Sequence, residues 1–386
     1  MTLPLEGLTV LGLEQAVAAP FATRQLADLG ARVIKVERPE GGDFARGYES
    51  SVLGQSGYFV WLNRSKESLA LDLKSPRGRD VIERLLPRLD VLVQNLGPGA
   101  TARLGLDAAS LRRRFPRLIV CDISGYGGDG PWAQRKAYDL LVQCETALVA
   151  LTGSPQGVAK VGISVADIAA GMYAFTGILT ALYERARHGE GAHVEVSLFE
   201  ALAEWMGAPA YYTRYSGRQP ERSGAQHATI APYGPVPVGD GGTVVIAVQT
   251  QVEWTAFCTR VLGDPSLAGD ERFLTNPARV ANRAELSDII ARRFAALTTP
   301  EVLELLDSAG LASARVNSVA QFLDHPVLRE RDRWREVQTP GGPVDALLPP
   351  ATPRGREARM DPVPALGEHT ESILRELGLA DAGSVA

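Results

Sequence analysis

The chain has few of the residues that build disulfides and metal sites. Its 386 residues include three cysteines, Cys121, Cys144 and Cys258, which lie in apolar contexts and form no C-x-x-C pair. Its five histidines show no spacing typical of a zinc site, so we expect no bound metal. A disulfide framework is also excluded, and reduced core thiols indicate a cytoplasmic protein.

An excess of positive charge and a long uncharged apolar run are also missing. The formal net charge is −5, and the lysines and arginines are dispersed, so no basic stripe points to nucleic acid. Glu6 and Glu14 interrupt the apolar N-terminal segment, so we expect no signal peptide. No window approaches a membrane span, so we expect no membrane partner.

What is present is alternation of strand and helix patterns. Residues 8–13 and 32–37 read as buried strands around an Ala-rich helix at 18–29, which is typical of a parallel α/β sheet. Further strands are predicted at 68–73, 90–94, 117–123 and 192–198, and helices at 76–86, 108–114, 136–151, 164–187 and 199–206. A chain of this length is expected to form two domains.

The C-terminal half has a different pattern of apolar residues. Residues 211–235 lack periodicity, whereas a strand at 243–249 and helices at 252–262, 281–297, 299–309 and 368–378 follow. We therefore predict a Rossmann-like large α/β domain with an inserted smaller α+β domain. The predicted parts are a large-domain segment (1–205), a linker and substrate loop (206–235), the small domain (236–320) and a linker with a segment that returns to the large domain (321–386).

The first strand-to-helix turn does not have the sequence of a dinucleotide site. It reads Glu14-Gln-Ala-Val-Ala-Ala-Pro-Phe-Ala and lacks the G-x-G-x-x-G glycines. Without them the backbone cannot approach a pyrophosphate in the dinucleotide-binding manner. We therefore expect no bound NAD or FAD.

Asp167 is the only charged residue between Val161 and Phe175, and it falls at the start of the helix predicted over 164–187. It could be a helix-capping residue or a nucleophilic carboxylate in a cleft. In both interpretations, free backbone N–H groups and the helix dipole are expected to keep the carboxylate ionised. The local sequence leaves both open.

A set of motifs in order along the chain resembles the family III CoA-transferases, also called the CaiB/BaiF family. The resemblance covers almost the whole chain. Its landmarks are Leu5-Glu-Gly-Leu-Thr-Val-Leu, Leu26-Ala-Asp-Leu-Gly-Ala-Arg-Val-Ile-Lys-Val-Glu-Arg-Pro, Asn63-Arg-Ser-Lys-Glu-Ser-Leu-Ala-Leu-Asp-Leu, Gln94-Asn-Leu-Gly-Pro-Gly, Ile123-Ser-Gly-Tyr-Gly, Lys136-Ala-Tyr-Asp, the Asp167 segment, Gly189-Glu-Gly-Ala-His-Val-Glu-Val-Ser-Leu and Leu366-Gly-Glu-His-Thr.

The resemblance implies a role for each matching residue. Asp167 would be the nucleophile, forming an aspartyl anhydride and then an aspartyl-CoA thioester, with Tyr138 and Asp139 close to the reacting groups. Coenzyme A would be part of the substrate, with no permanently bound cofactor, and the protein would be an interlocked homodimer. The positions that match the CoA site are Gln15, Ala18, Arg38, Leu71, Asn95, Leu96, Arg103 and Lys136.

The amino-acid sequences of several segments are similar to those of the family branch that acts on short dicarboxylates. This implies succinyl-CoA as the donor and itaconate, mesaconate, citramalate or malate as the acceptor, and it leaves open transfer between two carboxyls of one acid. A second carboxylate needs cations or hydrogen-bond donors. The candidates are Arg46, Arg64, Arg222 and His227.

Two alternatives within the same fold stay open. An α-methylacyl-CoA racemase uses a histidine at the position of Tyr138, and a phenol, with a pKa of about 10, is a poor base for that reaction. A formyl-CoA or carnitine-type CoA-transferase is the other alternative. The formyl-CoA enzymes carry a Gly-rich loop in the small domain, and residues 220–265 contain none.

Overall fold

The computed structural model describes residues 2–351 and 354–379, which form two compact units. The first unit contains the described residues of 1–147, 161–208 and 330–386, and the second contains 148–160 and 209–329. The second unit is thus an insertion in the first. Residues 148–160 were assigned to the large domain from the sequence, but Arg222 and Gly224 bind the backbone of Ala150, Gly153 and Ser154, which places this segment in the second unit.

The strands agree closely with the apolar runs of the sequence. Their bounds are Thr9–Leu13 (β1), Arg32–Glu37 (β2), Lys66–Ala70 (β3), Val91–Gln94 (β4), Ile119–Ser124 (β5), Gly153–Ser154 (β6), Gly157–Val158 (β7), His193–Ser197 (β8), Tyr233–Pro237 (β9), Thr243–Ala247 (β10), Ala312–Arg315 (β11), Trp334–Val337 (β12) and Val344–Leu347 (β13).

The α-helices are Ala18–Asp28 (α1), Gly57–Asn63 (α2), Pro76–Leu85 (α3), Ala100–Leu104 (α4), Ala108–Arg114 (α5), Asp139–Glu145 (α6), Leu148–Leu151 (α7), Val165–His188 (α8), Leu198–Trp205 (α9), Gly207–Ser216 (α10), Gln251–Ala256 (α11), Asn276–Ala281 (α12), Arg283–Phe294 (α13), Thr299–Ser308 (α14), Val319–Leu323 (α15), Pro326–Glu330 (α16) and Thr370–Glu376 (α17). Residues Phe44–Gly47, Leu86–Arg88 and Pro265–Ala268 form 3₁₀ turns, and Phe257–Leu262 form a π-helix.

The first unit is built on a six-stranded parallel sheet in the order β3-β2-β1-β4-β5-β8. Its central strands β1 and β4 are largely apolar, because helices cover both faces of a parallel sheet. One side of the core joins Leu11, Ile34 and Leu92 of the strands to side chains of α3, α5 and α17. The predicted Rossmann-like α/β sheet is therefore confirmed.

Helix α8 packs on α1 through small side chains, including the buried Ala170 and Ala174. A Cβ on Gly171 would lie 2.6 Å from the carbonyl oxygen of Ala18, so only glycine lets the two backbones approach this closely. Among the described residues, α8 is the one helix long and apolar enough to cross a membrane, contrary to the sequence expectation. The face of α8 that contacts α1 is buried, and core helices of soluble proteins pass the same test of length and composition.

The second unit contains a three-stranded antiparallel sheet in the order β11-β10-β9. Helices α11, α13 and α14 and the π-helix enclose a separate core around Trp254, Phe257, Phe273 and Phe294. The predicted helix over 252–262 is thus an α-helix that widens into a π-helix. Helix α10 forms in a segment that was predicted to be part of a linker.

The C-terminal segment of the first unit binds along β3, which is an edge strand of the sheet. Gly367 N donates to Ser68 Oγ at 2.9 Å, and His369 N donates to Ser68 O at 3.0 Å. Ala70 N donates to Thr370 Oγ1 at 2.9 Å. The Leu366-Gly-Glu-His-Thr motif therefore covers backbone groups that an edge strand would otherwise expose.

Candidate functional site

A cavity of about 990 Å³ opens at the carboxyl ends of β1, β2, β3 and β4 in the first unit. The order in which strands are added to the sheet reverses between β1 and β4. Ligands of doubly wound sheets bind at such a switch point. Five of the residues that the resemblance assigns to CoA line it. They are Gln15, Arg38, Leu71, Leu96 and Arg103.

Four cationic side chains line the same cavity: Arg38, Lys74, Arg79 and Arg103. Each arginine donates to one nearby carbonyl oxygen, for example Arg38 to Gly42 at 3.2 Å, and all four side chains are exposed. Such a group of cations suits the phosphates of a nucleotide-like ligand. Lys74 and Arg79 were not predicted, because the third strand was expected to reach residue 73 and it ends at Ala70. The Ser75-Pro76 helix start was the signal for this turn.

The turn between β1 and α1 is held by side chains in place of the missing glycines. Asn95 Oδ1 accepts from Gln15 N at 2.9 Å, and Asn95 Nδ2 donates to Gln15 O at 2.8 Å. Ala16 has a φ of +60°, which is uncommon for a residue with a Cβ. Its N–H donates to Asp43 Oδ1 at 3.1 Å, so Asp43 stabilises this strained position.

A fully buried group of charges lies beneath this turn. Lys35 Nζ contacts Asp43 Oδ2 at 2.8 Å, and Lys66 Nζ contacts Glu14 Oε1 at 2.7 Å. Burial lowers the pKa of Lys66 to about 8, and the charge of Lys35 adds to this while Glu14 opposes it. Burial alone would raise the pKa of Glu14, but Lys66 and Lys35 outweigh it and the net shift is downward. The floor of the cavity is thus a fixed set of paired charges.

Two of the residues predicted to bind a second substrate carboxylate are engaged within the first unit. Arg46 donates to both Glu37 oxygens at 2.8 Å and stacks on Phe59 at 3.6 Å. Arg64 is buried and donates to both Asp28 oxygens, at 2.8 and 2.7 Å. Asp28 also pairs with Arg24 at 2.8 Å, so Arg64 belongs to a buried group of three charges and is a structural residue.

The other two predicted substrate residues lie in the second unit, so neither unit brings the four together. Arg222 donates to Ser154 O at 3.0 Å and to Ala150 O at 3.2 Å. His227 stacks on Tyr233, and its Nδ1 accepts from Thr229 N at 3.2 Å. These contacts hold loops of the second unit.

Asp167 is the third residue of α8, and the cap of that helix comes from another helix. Asp139 Oδ1 accepts from Ala166 N at 2.8 Å and from Asp167 N at 3.4 Å. Ser164, the residue before the helix, makes no side-chain cap. The capping interpretation of Asp167 is therefore wrong, because Asp139 takes the free N–H groups.

This arrangement shifts Asp167 toward its protonated form. Burial, and then the charge of Asp139, raise the pKa of Asp167 to about 7. The expectation of a carboxylate kept ionised by the helix start is wrong. Asp167 instead exchanges a proton near neutral pH, and such a perturbed group is typical of a functional site.

Helix packing places Asp167 beside the turn that borders the cavity. Residues four apart lie on one helix face, and Gly171 meets Ala18 at the start of α1. Both helices begin at the carboxyl edge of the parallel sheet, so we infer that Asp167, one turn before Gly171, lies near the turn from Gln15 to Val17. Ala18 itself is buried at this contact.

Tyr48 was missed by the sequence analysis and lies in the same neighbourhood. Burial, then the charges of Asp43 and Asp167, raise the pKa of its phenol to about 12, with Tyr138 and Tyr58 adding to the shift. The Tyr48 ring packs edge-on against Tyr58 at 5.6 Å. Tyr48 therefore stays protonated and can donate a hydrogen bond beside Asp167. No motif in the sequence connects Tyr48 with Asp167.

Lys136 and Tyr138, two of the predicted site residues, have exposed side chains. Lys136 is exposed in the loop before α6 and is not part of the cavity lining. The Tyr138 side chain is 65% exposed at the start of the same helix. Among the described residues, no cluster of side chains could hold a metal ion.

Comparison with known proteins gives a consistent result. The profile described as CoA-transferase family III matches residues 5–370. A succinate–glutarate CoA-transferase of Agrobacterium fabrum is 35% identical over 97% of this chain and 96% of its own length. A succinyl-CoA–D-citramalate CoA-transferase of Chloroflexus aurantiacus is 32% identical over 97% of this chain and 94% of its own. The crystal structure of a CaiB/BaiF family protein from Brucella suis matches with a TM-score of 0.87 and 35% identity, covering 98% of this chain and all of that one.

Proposed function

The chain belongs to CoA-transferase family III, and we propose from this that it moves CoA from succinyl-CoA to a short dicarboxylic acid through covalent intermediates on Asp167. The observation that carries the proposal is the close approach of Gly171, one helical turn after the partly buried Asp167, to Ala18, which follows the turn that contains the cavity-lining Gln15. The cavity suits the nucleotide and phosphates of CoA, and the turn borders the place where a thioester would reach Asp167.

The proposed reaction exchanges acyl groups in balanced steps. A carboxylate oxygen of Asp167 attacks the thioester carbonyl carbon, the C–S bond breaks, and CoA leaves as the thiolate with a mixed anhydride on Asp167. The thiolate then attacks the Asp167 carbonyl carbon and releases succinate, which leaves an aspartyl-CoA thioester. The acceptor carboxylate repeats the first step on this thioester, and the thiolate finally attacks the acceptor carbonyl and frees Asp167.

The environment of Asp167 supports this role. A carboxylate whose pKa is near 7 holds its proton more tightly than an exposed one, and a more basic oxygen is a better nucleophile. It is still ionised in about half of the molecules near neutral pH. The protonated phenol of Tyr48 is placed to stabilise negative charge that develops beside it.

The acceptor is proposed from the names of relatives. Those compared above are named for succinate or succinyl-CoA together with glutarate or D-citramalate, so we place glutarate and citramalate first. Mesaconate, itaconate and malate complete the set of acceptors to be tested. Glutarate was not among the acceptors expected from the sequence.

We also propose that the enzyme works as an interlocked homodimer in the cytoplasm. Helix α10 offers a surface for contact between two copies of the chain. Its Tyr211 and Tyr215 stack on each other and remain 67% and 79% exposed. Exposed groups of large aromatic side chains commonly mark protein interfaces. Size-exclusion chromatography with light scattering tests this, and a monomer at working concentration would contradict it.

The experiment that tests the function is mass spectrometry of the protein mixed with succinyl-CoA and each acceptor in turn. We expect new acyl-CoA products and a hydroxylamine-sensitive adduct on Asp167. Asp167→Asn should abolish both, whereas Asp107→Asn, which changes a carboxylate at the start of α5, should retain both. The panel includes oxalate, formate and carnitine, and a 2-methylacyl-CoA in heavy water. Transfer only to one of these three acceptors, or exchange of the α-proton without any acceptor, would contradict the proposal.

A further inference from the structure

The Gln143 side chain is fully buried and uses both ends of its amide in hydrogen bonds. It lies one turn after Asp139 on α6, and its Nε2 donates to Asp139 Oδ2 at 2.7 Å. Its Oε1 accepts from Val161 N at 3.0 Å, in the segment that leads into α8. The amide therefore connects α6 with the approach to the helix that carries Asp167.

These two contacts fix the orientation of the amide. A carboxylate only accepts hydrogen bonds and a backbone N–H only donates, so a flipped Gln143 amide would meet both partners with the wrong group. The other oxygen of Asp139 accepts from the first turn of α8 at Ala166 and Asp167. The Asp139 carboxylate is thus held from one side by Gln143 and from the other by the start of α8.

We propose that Gln143 is a positioning residue for the transfer reaction, holding the Asp139 carboxylate against the first turn of the helix that presents Asp167. This inference rests on the proposed role of Asp167 as the nucleophile. Gln143 does not contact a reacting atom. It acts by keeping the negative charge of Asp139 in one place, so that Asp167 has one orientation and one electrostatic environment.

The ionisable groups around this position come from two parts of the first unit. Asp139 and Tyr138 lie at the start of α6, and Asp43 and Tyr48 flank the 3₁₀ turn Phe44–Gly47. Burial raises the pKa of Asp167 most, and the negative charge of Asp139 raises it further. A change that releases Asp139 should therefore alter the pH dependence of the enzyme as well as its rate.

The first test is Gln143→Leu, which keeps the approximate volume and removes both hydrogen bonds. We expect kcat to fall on the order of tenfold, because small displacements of a reacting group have large effects on rate. The KM for succinyl-CoA should stay the same, since Gln143 does not line the cavity. The acid limb of the kcat profile should move to lower pH, because Asp139 is no longer held beside Asp167.

A matched control is Gln25→Leu. Gln25 is a half-buried glutamine on α1 whose amide contacts Met172 of α8, so this change also loosens packing on the nucleophile helix without touching Asp139. It should leave both kcat and the pH profile unchanged. If Gln143→Leu lowers the melting temperature but keeps the kcat and pH profile of the wild type, Gln143 is only a structural residue and the inference is wrong.

A second variant covers the case in which Gln143→Leu does not fold. Gln143→Glu keeps an acceptor for Val161 N–H but places an oxygen opposite Asp139 Oδ2, so the contact survives only when one carboxyl is protonated. We expect its activity relative to wild type to decrease as the pH rises from about 6 to about 8. A constant ratio would overturn the inference. An adduct on Asp167 in the wild-type enzyme establishes the proposed function separately, so failure of one is distinguishable from failure of the other.

Discussion

Replacing Asp167 with asparagine should make the protein inactive and more stable at neutral and alkaline pH. Asparagine has nearly the same shape as aspartate but carries no charge. In the folded protein the ionised form of Asp167 is disfavoured, first by burial and then by Asp139. The ionised side chain therefore lowers the free energy of unfolding, and the substitution removes this effect.

The pKa of Asp167 determines the size and the pH range of this effect. The pKa is about 7 in the folded protein and 3.8 in its ordinary state, a difference that corresponds to about 4 kcal/mol. Below about pH 4 both states bind the proton, and the charge has little effect on stability. The penalty grows to about 2 kcal/mol near pH 5 and reaches about 4 kcal/mol near pH 8, where both states are ionised.

Urea denaturation of wild type and Asp167→Asn at several pH values measures this directly. The difference in the free energy of unfolding should be close to zero at acid pH and rise in favour of the variant as the pH increases. Asp107→Asn is the control with the opposite sign, because the Ser110 N–H lowers the pKa of Asp107. Its ionised form stabilises the fold, and this contribution is lost as the pH falls through the folded pKa. A pH-independent difference for Asp167→Asn would refute the reasoning.

Three further variants separate functional from structural charges. Asp139→Asn keeps an acceptor for Ala166 N–H but removes the negative charge, so the acid limb of the pH–rate profile should move to lower pH. The pKa of Asp167 should stay above the ordinary aspartate value, because Asp167 remains buried. Arg64→Met should lower the free energy of unfolding by about 2 kcal/mol in urea, since Asp28 loses one of its two buried partners and keeps Arg24, while the KM of every acid acceptor stays unchanged. Arg103→Gln should raise the KM for succinyl-CoA roughly tenfold at low ionic strength and less at high salt, which steady-state kinetics at two salt concentrations would measure. An unchanged KM for Arg103→Gln, or a shifted one for Arg64→Met, would contradict these assignments.

The alternating strands and helices could be predicted because their signals are local. The apolar runs around Val10, Val33 and Val91 each form a strand, and the connection rules for parallel strands make them neighbours in one sheet. The helix ending near His188 follows in the same way from its spacing and from Gly189. Five of the positions predicted for CoA line the cavity, because they follow strands whose carboxyl ends meet.

The partners of charged side chains could not be predicted, because the sequence shows a charge but not what lies opposite it. Arg64 pairs with Asp28, 36 residues away, and so its guanidinium is not available to a substrate. The cap of α8 comes from Asp139, 28 residues before Asp167, whereas capping rules consider only neighbours along the chain. The charge of Asp167 was misjudged for this reason.

The C-terminal motif along β3 has a consequence for synthesis of the protein on the ribosome. Gly367, His369 and Thr370 cover an edge of the same sheet whose other strands are made much earlier. Until these residues emerge, β3 presents unpaired donors such as Ala70 N–H, which can template pairing with another chain. Nascent or truncated chains that lack residues 366–370 are therefore the forms most exposed to aggregation. Protection by chaperones is most useful in that interval, after helix α8 has been made and before the sheet edge is covered.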